Sequence, residues 1–271
     1  MLRKLIKHEF RATGRIMLPM YLILLITAVG ANISGRGLMG SRYWILDTLA
    51  MLIVMAFAFA IAGACLIAFV LMIQRFYKNL LQDEGYLMMT LPVSVHQHIW
   101  AKLIVSTVWF ILTVLAIIAA CIVVSYDVGF LSEFFHGMLN ILHGFLKLNA
   151  GEAVNGLVVV IEVIVFAFLA LAAFCLQFYA ALAVGHSFAN HKMLTSVGCF
   201  FAFQFIVQFC GTALIMGADG LGLFNFMDHW NFTPIVAVHV AMLMLIAATV
   251  IYGAIFYIVT TFFLKRKLNL E

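Results

Sequence analysis

WILDTLAMLIVMAFAFAIAGACLIAFVLMI, residues 44–73, holds one charged side chain, Asp47, in an otherwise unbroken apolar run. About 20 apolar residues cross a bilayer's hydrocarbon core as an α-helix, so this run spans with residues to spare. A membrane β-strand alternates over about ten residues instead; nothing here alternates. Outward from it, five more runs are long and apolar enough: 16–33, 103–124, 154–184, 193–216 and 234–264. With 66% hydrophobic and 10% charged residues and a mean hydropathy of +1.16, a soluble domain is excluded. The expected fold is an all-α integral membrane protein with six transmembrane helices. Neither a repeat nor a flexible linker divides residues 1–271, so a single transmembrane domain is expected.

Lys and Arg set the orientation. Arg3, Lys4, Lys7, Arg11, Arg15, Arg75, Lys78, Lys102, Lys192, Lys265, Arg266 and Lys267 fall on one side of the six runs, and only Arg36, Arg42 and Lys147 on the other. Both termini and the stretch 75–102 are therefore expected in the cytoplasm of a multi-pass plasma-membrane protein. The net charge of +4 matches basic flanks against anionic headgroups, and no nucleic acid is implied. The first run is expected to be retained: Val29-Gly30-Ala31 loosely fits a cleavage site, but the basic region before it is long for a signal. Cys65, Cys121, Cys175, Cys199 and Cys210 form no CxxC pair and read as apolar packers.

Before the first run, Leu2, Leu5, Ile6 and Phe10 recur at helical spacing among basic residues, which predicts an amphipathic helix over 1–15 lying along the inner surface. The second helix is expected to overrun the bilayer toward Arg75 and Tyr77, and the chain then restarts at Leu91-Pro92-Val93-Ser94. A residue before Pro prefers an extended conformation, Ser94 is an N-cap, and Gln97 can complete a capping box. Trp100 reads as an interfacial anchor and Lys102 as a snorkelling cation on the way into the third span.

The segment DEGYLMMTLPVS, 83–94, with Lys102 eight residues on, resembles the first cytoplasmic loop of ABC type-2 export permeases, particularly small six-span bacterial forms with a DEGYL…TLPV signature. That resemblance implies a coupling element at 75–102 in which Asp83, Glu84, Gly85, Tyr86, Leu91, Pro92 and Ser94 dock on a separate cytoplasmic ATPase subunit. It makes 1–15 the connecting elbow. ATP and Mg would bind on the partner, and a second permease chain would complete the pathway. His186, Ser187 and Asn190, in the short loop 185–192, suit a secondary cytoplasmic contact.

Chemistry of the chain's own is not expected. GxxxxGK[ST] is absent, so no phosphate loop is present. His8-Glu9 begins HExxH, but Ala12 stands where the second His belongs. Gly185-His186-Ser187 starts like a nucleophile elbow, yet Ala189 replaces its last Gly. The dispersed histidines, among them His96, His98, His136, His143 and His229, read as ordinary polar residues rather than metal ligands.

Within the apolar runs, polar residues are costly enough to mark a pathway or interface: Glu162 and Gln177 on the fourth, Gln204 and Gln208 on the fifth. Ala56, Ala60, Ala64 and Ala68, with Gly63, form a small-residue strip for close packing. In the outer segment 125–153 an amphipathic helix is expected, from Leu131, Phe134, Phe135, Met138, Leu142, Phe145 and Leu146 opposite Glu133, Asn140 and Lys147. Outer segment 217–234, with Phe224, Phe226, Trp230 and Phe232, reads as a re-entrant or interfacial element. The function expected from the resemblance is export of a hydrophobic or amphipathic substrate such as a peptide, lipid or drug. An intramembrane hydrolase, or a non-transporting scaffold or sensor, is the alternative.

Overall fold

A computed structural model describes residues 2–39, 43–82, 93–126, 128–147, 149–188, 191–220, 222 and 233–266, without the side chains at 128–131, 141–142, 145–147 and 150. The described residues are helical and contain no strand. The helices are α1 (Leu2–Gly37), α2 (Trp44–Leu80), α3 (Val95–Val124), α4 (Val128–Lys147), α5 (Ala150–Gly185), α6 (Lys192–Gly220) and α7 (Pro234–Arg266). All but α4 are long and apolar enough to cross a membrane. Six candidate spans and an all-helical fold are thus as expected, and α4 occupies the outer segment expected to be amphipathic.

The chain divides into two compact units, one of 1–74 with 104–148 and one of 75–103 with 149–271. In the first, Met17 and Met20 of α1 pack with Ala64, Ala68 and Leu71 of α2 and Val105 and Trp109 of α3. A second cluster joins Leu24, Ala28 and Ala31 to Phe57 and Ala120. The alanine strip of α2 is used only in part: Ala64 and Ala68 are buried, whereas Ala56 is exposed and Gly63 has open space where a Cβ would stand. In the second unit α5 is central and packs on both α6 and α7.

One expectation fails and one is met in part. Residues 2–15 are helical, within α1, which is continuous for 36 residues, about 54 Å against about 30 Å of hydrocarbon, with Pro19 inside it. Lys102 does not snorkel outward; it is 3% exposed and partnered. The restart after 75–82 is as expected: Ser94 accepts from the backbone N–H of Gln97 on both its carbonyl (2.9 Å) and its Oγ (3.4 Å), and α3 begins at Val95.

Candidate functional site

Of the polar residues picked out in the apolar runs, Gln177 and Gln204 meet in the second unit. Gln177 of α5, 3% exposed, donates through Nε2 to Gln204 Oε1 of α6 at 2.9 Å and accepts on Oε1 from the Tyr252 hydroxyl of α7 at 2.7 Å. One side chain therefore ties three helices. With Phe166, Phe174, Phe200 and Thr249 these residues line a cleft of about 710 Å³. Gln208, one turn beyond Gln204, is exposed and does not line it.

Glu162, 15 residues before Gln177 and about 22 Å away along α5, meets His239 of α7, whose Nδ1 lies 3.1 and 3.0 Å from the two carboxyl oxygens. Their side chains are 12% and 19% exposed. In a low-dielectric setting a lone carboxyl is costly, and a directly bonded imidazole offsets that cost as an ion pair or as a neutral hydrogen bond. His239 and Tyr252 escaped the sequence reading. The rule that singled out Glu162, a polar group inside an apolar run, applied equally to 234–264.

The loop expected as a secondary contact is a tight corner between α5 and α6. A Cβ at Gly185 would fall on the backbone N and Cα of Ser196, so only glycine fits. His186 caps α5 through its backbone N–H, which donates to Leu182 O at 3.0 Å. Its buried ring meets Tyr77 edge-on at 5.0 Å, and among the described residues Nδ1 has no hydrogen-bond partner. Burial first, and the positive charge of Lys192 second, hold the His186 pKa below the usual imidazole range. Ser187 Oγ donates to Ala183 O at 3.2 Å, a back-bond within its own helix turn. His191 enters α6 from a left-handed backbone conformation, φ 54°. Asn190 lies outside the described residues.

Of the proposed coupling segment, Asp83, Glu84, Gly85, Tyr86, Leu91 and Pro92 lie outside the described residues, as do Phe224, Phe226, Trp230 and Phe232 of the outer segment. The helix ends that flank residues 83–92 are firmly packed. Phe76, near the end of α2, stacks on Tyr179 at 4.1 Å with both rings fully buried. At the start of α3, Lys265 Nζ donates to His96 Nε2 at 2.9 Å, and His96 Nδ1 lies 2.6 Å from the Tyr257 hydroxyl. Lysine has no acceptor, so the ring proton of a neutral His96 sits on Nδ1 and points at Tyr257. His96 thus joins α3 to α7. Among the described residues no three His, Cys, Asp or Glu side chains gather as a metal site would require.

Compared with family models, curated proteins and solved structures, the chain finds no match in any of the three.

Proposed function

We propose that this chain is the membrane-spanning permease subunit of an ATP-driven exporter of the ABC type-2 kind, acting with separate ATPase subunits and a second permease chain. The observation that carries the reading is the sequence DEGYLMMTLPVS at 83–94, set between two span-forming helices, with Ser94 capping the second. In this reading the termini and 75–102 face the cytoplasm. ATP-driven closure of the ATPase pair displaces the 83–94 segment, and α2 and α3, firmly held at Phe76 and His96, carry the displacement into the membrane. The cleft beside Gln177 and the Glu162–His239 pair form a pathway or interface for a hydrophobic or amphipathic substrate. ATP and Mg belong to the partner chain.

The test is co-purification of the full chain with an ATPase from its native host, followed by ATPase assays with and without candidate peptides and lipids. Asp83→Lys with Glu84→Lys is expected to release or uncouple that ATPase while the permease keeps its helical content. Full assembly and transport by the double reversal would refute the coupling role, and Glu162→Gln with unchanged stimulated activity would remove Glu162 from the pathway.

A further inference from the structure

In the first unit, a groove of about 760 Å³ runs between α1 and α3. Its floor is apolar although it contains Trp109 and Tyr21, because their polar atoms are consumed next to it. Trp109 Nε1 donates to Thr13 Oγ1 at 2.7 Å, and Tyr21 shares a 2.8 Å hydrogen bond with Thr113. Trp109 is largely buried, stacked on Phe10 of α1 at 4.6 Å between ring centroids, and Gly14 lets α1 lie close against its ring, the nearest ring atom standing 3.5 Å from where a Cβ would be. At one end of the groove sit Arg11 and Arg15, one helical turn apart on α1. Among the described residues neither guanidinium makes a hydrogen bond or ion pair, and both are exposed. At the other end are Leu25 and Leu115.

Those dimensions match an amphiphile. From Arg15 to Leu25 is about 15 Å along α1, which is the depth of one leaflet, half of a hydrocarbon core about 30 Å thick. We propose that this groove holds one anionic phospholipid, with its phosphate between Arg11 and Arg15 and one acyl chain laid along the floor past Trp109 to Leu115. Guanidinium pairs suit phosphate oxygens by forked hydrogen bonding. A floor whose donors and acceptors are already bonded accepts an acyl chain without stranding a polar group. The site requires only that α1 and α3 span a membrane, and is independent of the exporter reading.

Trp109 reports on the site directly. The full chain carrying Trp44→Phe, Trp100→Phe and Trp230→Phe is reconstituted in phosphatidylcholine vesicles doped with brominated phosphatidylglycerol or with brominated phosphatidylcholine. Bromine against the ring quenches its emission. Stronger quenching by the anionic lipid is expected, by about fivefold in apparent affinity for each arginine. Arg11→Gln with Arg15→Gln should bring the two lipids level, while Arg11→Lys with Arg15→Lys keeps most of the preference and serves as the folded reference. Raised salt should weaken the preference in the unsubstituted groove. Equal quenching by the two lipids in the parent, or a preference that survives the Gln pair, overturns the proposal. Quenching by neither lipid also overturns it, since the groove would then be filled by protein, such as a second copy of the chain.

Discussion

Gln177 is the side chain whose removal tests the second unit most sharply, since two hydrogen bonds to two different helices leave it. Gln177→Leu keeps nearly the same volume, so the cavity cost is small and the loss is that of the bonds. Hydrogen bonds between membrane helices average about 0.6 kcal/mol and reach about 1.7 kcal/mol. Two of them, with the partly buried Tyr252 hydroxyl left without an acceptor, set an expected destabilisation of about 1–3 kcal/mol. Tyr252→Phe removes one bond and should cost about 0.6 kcal/mol or somewhat more, given its 2.7 Å length. The two substitutions share that bond, so the double variant should recover about 0.6–1.7 kcal/mol relative to additivity. Reversible unfolding of the purified chain in bicelles, titrated with dodecyl sulfate and followed by circular dichroism, supplies the four free energies. Additivity within about 0.3 kcal/mol, or a Gln177→Leu chain more stable than its parent, would refute the three-helix tie.

At Gly185, alanine puts a Cβ onto the backbone of Ser196, and because backbone cannot turn aside as a side chain can, the cost should lie at or above the upper end of the usual overpacking range of about 1–3 kcal/mol. Gly63→Ala, with nothing within 4 Å, is the matched control and should be close to neutral in the same unfolding assay; equal effects at both positions would dispose of the steric account. For His186, whose folded pKa is lowered, the unfolded chain binds the extra proton just below its own value of about 6.5. The stability from its neutral, buried ring is therefore complete above that pH and is lost as pH falls through the window beneath it. His186→Gln should flatten the part of the stability profile that falls as pH drops below about 6.5, and parallel profiles for parent and variant would contradict the assignment.

The spans were legible because hydropathy over twenty residues survives any local detail, and one helix start was legible from its cap, since Ser94 stands where its side chain can meet the N–H of Gln97. The course of 2–15 was not legible. A basic amphipathic start has the same pattern whether it lies on a surface or extends a span along its axis, and charge reports the side of the membrane, not the direction of the helix. Pairings were hidden for a different reason. A single His239 vanishes in an apolar average, and nothing in the chain around Glu162 records that a helix 77 residues on supplies its partner. Gly185 was legible as a small residue in a loop, but the Ser196 backbone that demands it belongs to the next helix.

What fixes the register of α5 against α7 also follows from these pairs. None of the most apolar window of α6 or α7 is buried within the chain, and little of that of α5. Lipid is as apolar as leucine, so burying such faces against each other supplies no hydrophobic drive. The specific contacts between the helices are then decisive. Glu162 meets His239 and Gln177 meets Tyr252, an order that makes α5 and α7 parallel, with ties about 22 Å apart along one helix and about 20 Å along the other. Beside the second tie Gly253 lies against Ala173, the Cβ of which is 3.6 Å from where a glycine side chain would begin, so the backbones approach where neither residue has bulk. A slide of one turn, about 5.4 Å, would break both ties together and strand a carboxyl and a buried amide in an apolar setting. One tie alone lets the helices pivot about the Gly253 crossing, whereas two spaced ties also hold their rotation. Glu162 and Gln177 are therefore register pins before they are anything else, and any part they take in a pathway must work through exchanging His239 or Tyr252 for another partner.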